Sequence, residues 1–157
     1  MEVERKFLAE LKQINELIKK ENLKGTLIRQ YYIKTGYIEE RYRSKGEKYY
    51  HTTKQNIDGL SREENEVECS KKEFEDNQKD KTGQMIEKTR YVLPVERFNL
   101  EIDIYSGALN GLCICEVEFK NASEAKDFIF PKFCLREVTI DPSYKNQSLA
   151  LYGLKRN

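Results

Sequence analysis

The residues able to do chemistry come in same-sign pairs two positions apart: Glu2 with Glu4, Arg41 with Arg43, Glu66 with Glu68, Lys88 with Arg90, Glu101 with Asp103, and Glu116 with Glu118. A spacing of two puts both members of a pair on one face of a strand. Wet strand faces also alternate polar with apolar, and any one of these strands taken alone is explained as well by solvation. The repetition by sign argues for more. Thr, Ser, Asn or Gln would keep a face wet, whereas like charges two apart repel unless an opposite strand or a ligand compensates. With Lys6 and Lys54 the shared face carries six candidate cations, Lys6, Arg41, Arg43, Lys54, Lys88 and Arg90. Against them stand eight candidate anions, Glu2, Glu4, Glu66, Glu68, Glu101, Asp103, Glu116 and Glu118, an excess of two negative charges. A face that bound anions through its cations alone would not call for that excess, and two divalent cations would reverse it. Carboxylates are the ligands Mg²⁺ and Mn²⁺ prefer, Mg²⁺ is commonly shared between carboxylates and phosphate oxygens, and arginine meets those oxygens two at a time. The face suits metal-bound polyphosphate.

The elements that must position these residues are mostly strands. Period-two patterning or β-branched and aromatic content predicts strands over 2–7, 26–33, 37–45, 48–55, 64–69, 85–93, 98–105 and 112–119, with a short one near 136–140. Turn signals separate them, including Ser44-Lys45-Gly46-Glu47 and Asp58-Gly59. Leu8, Leu11, Ile14, Leu17 and Ile18 fall on one side of a helix over 8–20. Ser70 with Glu73 makes a capping box for a helix over 71–79, Ser123 caps a short helix to about 129, and a last helical turn falls within 146–152. The other strand parity is apolar: Val3 and Phe7, Val67, Ile102 and Ile104, Val117 and Phe119. That face packs under the helices, so the charged face looks into water or an enclosed interior. A sheet of about eight strands can curl into a barrel with a lumen for a small ligand. The expected fold is α+β, an eight-stranded antiparallel barrel with its helices packed outside, residues 1–157 forming one domain.

Composition narrows the function classes. Of 157 residues 35% are charged, yet the net charge is only +1, which does not advertise nucleic-acid or membrane partners. No apolar run reaches the roughly 20 residues that span a bilayer, and the N-terminus is charged from its second residue, so a cytoplasmic protein is expected. Cys69, Cys113, Cys115 and Cys134 lack CxxC spacing and His51 is the only histidine, which argues against zinc. His51 has the parity opposite to Lys54 and falls outside the lumen. Cys113 and Cys115 fall on the outward parity as packing residues, and Tyr31, Tyr32, Tyr49 and Tyr50 read as strand packing rather than a base-stacking platform.

Glu2-Val3-Glu4-Arg5-Lys6 matches the ExExK motif of the CYTH domain family, the triphosphate tunnel metalloenzymes. The family's order continues through Arg41-Tyr42-Arg43, Lys54, Glu66-Val67-Glu68, Lys88-Thr89-Arg90, Glu101-Ile102-Asp103, Glu116-Val117-Glu118 and the tail 141–146. The chain resembles this family over essentially its whole length. The resemblance implies an eight-stranded tunnel binding triphosphate with Mg²⁺ or Mn²⁺, two ions per site with substrate bound. It makes Glu2, Glu4, Glu116 and Glu118 metal ligands and Lys6, Arg41, Arg43, Lys54, Lys88 and Arg90 phosphate ligands, with Lys145 reaching in from the tail. Glu4, Lys54 and Glu118 are the expected catalytic residues. Glu66 and Glu68 orient basic side chains or assist water, and Glu101 and Asp103 support the lining. Hydrolysis of inorganic tripolyphosphate to pyrophosphate and phosphate is the leading expectation, because the chain begins at the ExExK strand with no preceding segment to build a base pocket. A class IV-type adenylyl cyclase, a thiamine or nucleoside triphosphatase, and a non-catalytic polyphosphate or nucleotide binder are the rivals. The expected partner is a small-molecule triphosphate; a homodimer is left open.

Overall fold

The computed structural model describes residues 3–56 and 62–154, so Glu2 and the Asp58-Gly59 turn lie outside the described residues. The chain runs β1 (Val3–Ala9), α1 (Leu11–Lys20), β2 (Thr26–Lys34), β3 (Ile38–Lys45), β4 (Lys48–Asn56), β5 (Arg62–Cys69), α2 (Lys71–Asp76), β6 (Thr82–Val95), β7 (Phe98–Ser106), β8 (Cys113–Phe119), α3 (Ala122–Asp127), β9 (Cys134–Glu137) and α4 (Asn146–Tyr152). All strands join one antiparallel sheet in the order β5-β4-β3-β2-β6-β7-β8-β1-β9. The fold is therefore α+β, but the expected eight-stranded closed barrel becomes a nine-stranded sheet whose ladder does not close among the described residues. The reason lies at β1. Its outer edge is taken by β9, through Phe7 opposite Glu137, Leu8 opposite Arg136 and Ala9 opposite Cys134. Arg5 fastens that addition: its Nε and Nη2 each donate to Glu137 at 2.9 Å, and its Nη1 donates to the Ala125 carbonyl at 2.6 Å. The sheet is nonetheless strongly curled, because side chains from β1 through β8 share one cavity.

The apolar parity packs outward as expected except at Val67, which stays exposed on the edge strand β5. Ile14 of α1 and Phe128 after α3 join Leu100, Ile102, Cys115, Val117 and Phe119 in one cluster, while Phe74 of α2 packs on Tyr31 and Tyr42. His51 stacks on Tyr42 and pairs with Glu40 at 2.7 Å on that same outer side. The last helix is a correction to the expectation that all helices lie outside. Leu149 and Ala150 of α4 pack with Tyr32, Ile86, Tyr105 and Ile114, and Leu8 joins the cluster. Ile86 shares the parity of Lys88, Tyr105 that of Asp103, Ile114 that of Glu116 and Leu8 that of Lys6. The inner face thus changes from charged to apolar along each of these strands, and α4 plugs the apolar end.

Smaller differences have local causes. Helix α2 stops at Asp76 and tightens into a 3₁₀ turn over Asn77–Asp80. Asn121, not Ser123, caps α3, its side chain accepting the Glu124 N–H at 2.9 Å. The ninth strand covers Cys134–Glu137 rather than 136–140. Strand β6 continues through Pro94, opposite Asn99, in a stretch that β2 no longer reaches, since their pairing begins with Thr26 opposite Arg90. A residue without an N–H fits there. Gly83 packs β6 against the plug: its φ is +76°, and a Cβ would collide with the Ala150 carbonyl. Gly83→Ala is expected to cost about 1–3 kcal/mol in urea unfolding, combining left-handed backbone strain with displacement of α4.

Candidate active site

The inner face encloses a cavity of about 470 Å³. One corner is acidic. Register places Glu4 of β1 directly across from Glu118 of β8, with Lys6 across from Glu116, and Glu101 of β7 across from Glu116. Ligand oxygens of Glu4, Glu116 and Glu118 all lie within 4.8 Å of one another, so this trio can chelate a cation. Hard oxygen donors from three carboxylates fit Mg²⁺ or Mn²⁺. The cost of assembling them is visible in Glu116. Burial, followed by the hydrogen bond and charge of Glu4, pushes its carboxyl up to about 8 against the pull of Lys6. Lys6 stands over the corner with its ammonium 3.8 Å from Glu4 and 3.9 Å from Glu116.

That raised value sets a sign for stability. A carboxyl whose folded pKa exceeds its ordinary 4.5 favours the fold below about pH 4.5, and the contribution is lost as pH rises through about 8. The metal-free protein is expected to lose thermal stability across this window relative to Glu116→Gln, and melting curves from pH 5 to 9 with EDTA check it.

The facing wall is basic. Arg41 and Arg43 of β3 and Arg90 of β6 line it, Lys54 of β4 joins them, and Lys145 enters beside α4 with Asn146 and Gln147. Arg41 is 9% exposed and its Nε is buried without a hydrogen-bond partner. A buried unpaired donor is costly unless an anion arrives. Arg43 donates through Nε to Gln30 at 2.9 Å, and burial, then Arg41 and Arg90, lower its pKa to about 10. Arg41 and Arg43 thus hold guanidinium charge beside the ion-paired Arg90, a grouping whose chemistry suits an anion. Lys54 is flanked across the ladder on both sides, 3.9 Å from Glu39 and 4.0 Å from Glu64.

The remaining expected residues fall elsewhere. Lys88 is 1% exposed and lies beneath the wall, with its ammonium on Asp103 at 2.7 Å. Asp103 in turn takes Arg90 Nε at 2.8 Å and Nη2 at 3.0 Å, and Glu101 takes Arg90 Nη1 at 3.0 Å. Glu66 accepts the Thr52 hydroxyl at 2.7 Å, and Glu68 is exposed and outside the cavity lining. Glu39, Glu64 and Gln147 line the cavity without having been singled out in the sequence, together with Asn146 from the tail and Tyr32, a buried packing residue that also borders it. Two of them carried a signal: Glu39 has the parity of Arg41 and Arg43, and Glu64 that of Glu66. A second cavity, about 490 Å³, shares Glu101 and Glu118 with the first and extends past Phe98 and Lys120.

A curled antiparallel sheet thus holds a carboxylate trio and a group of guanidinium side chains in one cavity. No family model matches the chain. The inorganic triphosphatase of Nitrosomonas europaea is 38% identical over 153 residues, 96% of this chain and 97% of its own. That of Acetivibrio thermocellus is 34% identical over 150 residues, 94% and 92%. The crystal structure of an inorganic triphosphatase matches with a TM-score of 0.72 at 33% identity, covering 96% of this chain and 95% of that one. The chain belongs to the inorganic triphosphatase family.

Proposed function

We propose that this protein hydrolyses inorganic tripolyphosphate to pyrophosphate and phosphate with Mg²⁺ or Mn²⁺. The observation that carries the reading is the convergence of Glu4, Glu116 and Glu118 opposite Arg41, Arg43 and Arg90 in one cavity. The cavity lining holds six cations and six carboxylates, so it is balanced by itself, and added positive charge would tighten its hold on a polyanion. A divalent cation held by Glu4, Glu116 and Glu118 would supply that charge and would activate water for attack on a terminal phosphorus.

The protein's own side chains do the rest. Arg41, Arg43 and Arg90 bind and orient the phosphate oxygens, assisted by Lys6 and by Lys145 from the tail. Glu116 would hold a divalent cation together with Glu4 and Glu118, and would do so as the deprotonated carboxylate. Lys54, held between Glu39 and Glu64, keeps an ammonium aimed into the cavity where the leaving pyrophosphate gathers charge. Carboxylates matter here as much as cations, which favours catalysis over a purely binding role. The lining also offers no exposed aromatic platform, since Tyr32 is 1% exposed and held by Gln30, which favours an inorganic chain over a nucleotide. Incubation with tripolyphosphate or ATP plus Mg²⁺ or Mn²⁺ tests this. Tripolyphosphate should release phosphate fastest and EDTA should stop it; faster formation of cyclic AMP from ATP would replace the hydrolase reading with a cyclase one.

A further inference from the structure

Lys88 and Arg90 sit two apart on β6 with the same parity, yet only Arg90 reaches the cavity. Lys88 is 1% exposed, its Nζ is 2.7 Å from Asp103 Oδ2, and it lies 5.5 Å from the Tyr105 ring centroid. Asp103, 7% exposed, binds both cations at once, gripping Arg90 through Nε at 2.8 Å and Nη2 at 3.0 Å. The Asp103 hydrogen bonds occupy two of the five N–H groups of Arg90, and Glu101 stands 3.0 Å from Nη1 as an ion pair. Alone with Arg90, Asp103 would cancel its charge. With Lys88 present the cluster of Lys88, Arg90, Asp103 and Glu101 is balanced; without it the two carboxylates would leave Arg90 in a net negative setting.

We infer that Lys88 is a positioning residue: acting through Asp103, it locks the Arg90 fork and offsets the carboxylates that would otherwise outweigh the guanidinium, without touching the phosphate itself. A buried ion pair is a poor source of stability, since desolvation offsets the attraction, so a stabilising role alone would not account for an ammonium placed here. The protonation behaviour agrees with the geometry. Burial would raise Asp103, but Lys88 and Arg90 hold it down to about 2, and burial brings Lys88 down to about 8 against the pull of Asp103.

The inference rests on the proposed phosphate-chain site, and a double-mutant cycle separates the two. Wild type, Lys88→Met, Arg90→Gln and the double variant are compared by kcat/KM for tripolyphosphate with Mg²⁺. The same four are compared by calorimetric binding of tripolyphosphate with EDTA, after circular dichroism confirms each is folded. Lys88→Met should lose about tenfold and Arg90→Gln about a hundredfold, and the double variant should fall within about twofold of Arg90→Gln alone. That non-additivity is something a loosened fold would not produce. Multiplying losses would show that Lys88 meets the phosphate independently, and an unchanged Lys88→Met would show that it positions nothing; either overturns the inference. If wild type binds tripolyphosphate without hydrolysing it, the hydrolase reading fails while the binding cycle still decides the role of Lys88.

Discussion

Glu4→Gln and Glu118→Gln are each expected to reduce metal-dependent phosphate release by on the order of 10³-fold while leaving the metal-free fold as stable as before or slightly more stable. Both halves follow from the same geometry. Glu4 and Glu118 face each other across the β1–β8 ladder, and their oxygens lie with those of Glu116 inside 4.8 Å. Three carboxylates that close repel, and without a cation the corner copes by holding a proton on Glu116. Glutamine keeps the shape, relieves the repulsion and removes a hard anionic ligand. Activity is measured by phosphate release over a Mg²⁺ titration and stability by melting in EDTA. A merely solvated sheet face predicts no loss of activity, and a corner that holds the fold together predicts a lower melting temperature.

The guanidinium wall should behave in the mirror sense. Arg41→Gln and Arg43→Gln are expected to raise KM for tripolyphosphate by about 100-fold each, as charge-assisted bidentate contacts are lost. The wild-type protein should also be stabilised by tripolyphosphate without any metal, because the ligand binds only the folded state. At 100 times the dissociation constant the gain is about 2.7 kcal/mol, which for a chain of this size shifts the melting temperature by about 5–10 °C. Both variants should show little of that shift. The unpaired Nε of Arg41 and the lowered pKa of Arg43 indicate a wall that waits for an anion, so neutralising either one should not destabilise the ligand-free protein. Steady-state phosphate release reads the change in KM, and differential scanning fluorimetry with and without tripolyphosphate reads the stability effects.

Much of this site was legible as parity. Glu4 with Lys6, Arg41 with Arg43, and Glu116 with Glu118 fall on one face because strand side chains alternate with period two, and the structure brings these six to one cavity. His51, Cys113 and Cys115 fell on the other face for the same reason. Period two gives a face but not a depth. Lys88 and Arg90 share parity, yet one lies under the wall and the other in it, a difference set by the packing of Tyr105 and Asp103 from the neighbouring strand. Depth also separates Glu64, at the cavity, from Glu68, outside it on the same edge strand. The inward seat of α4 depended on tertiary packing as well: seven residues present too little periodicity to show which surface they cover. The apolar turn of the inner parity at Leu8, Ile86, Tyr105 and Ile114 was the sequence trace of that plug. Barrel closure was beyond local pattern, because whether β9 or β5 takes the free edge of β1 is decided by contacts such as Arg5 with Glu137, over a hundred residues apart in the chain.

The central claim is that the carboxylate corner and the guanidinium wall together cleave the end phosphate from an inorganic phosphate chain. Phosphorus NMR of tripolyphosphate with the purified protein tests it directly. With Mg²⁺ or Mn²⁺, the tripolyphosphate signals should decay into pyrophosphate and phosphate in equal amounts, the reaction should stop on adding EDTA, and Glu118→Gln should leave the spectrum unchanged over the same time. Undiminished tripolyphosphate in the presence of either metal, or hydrolysis that proceeds equally in EDTA, would contradict it.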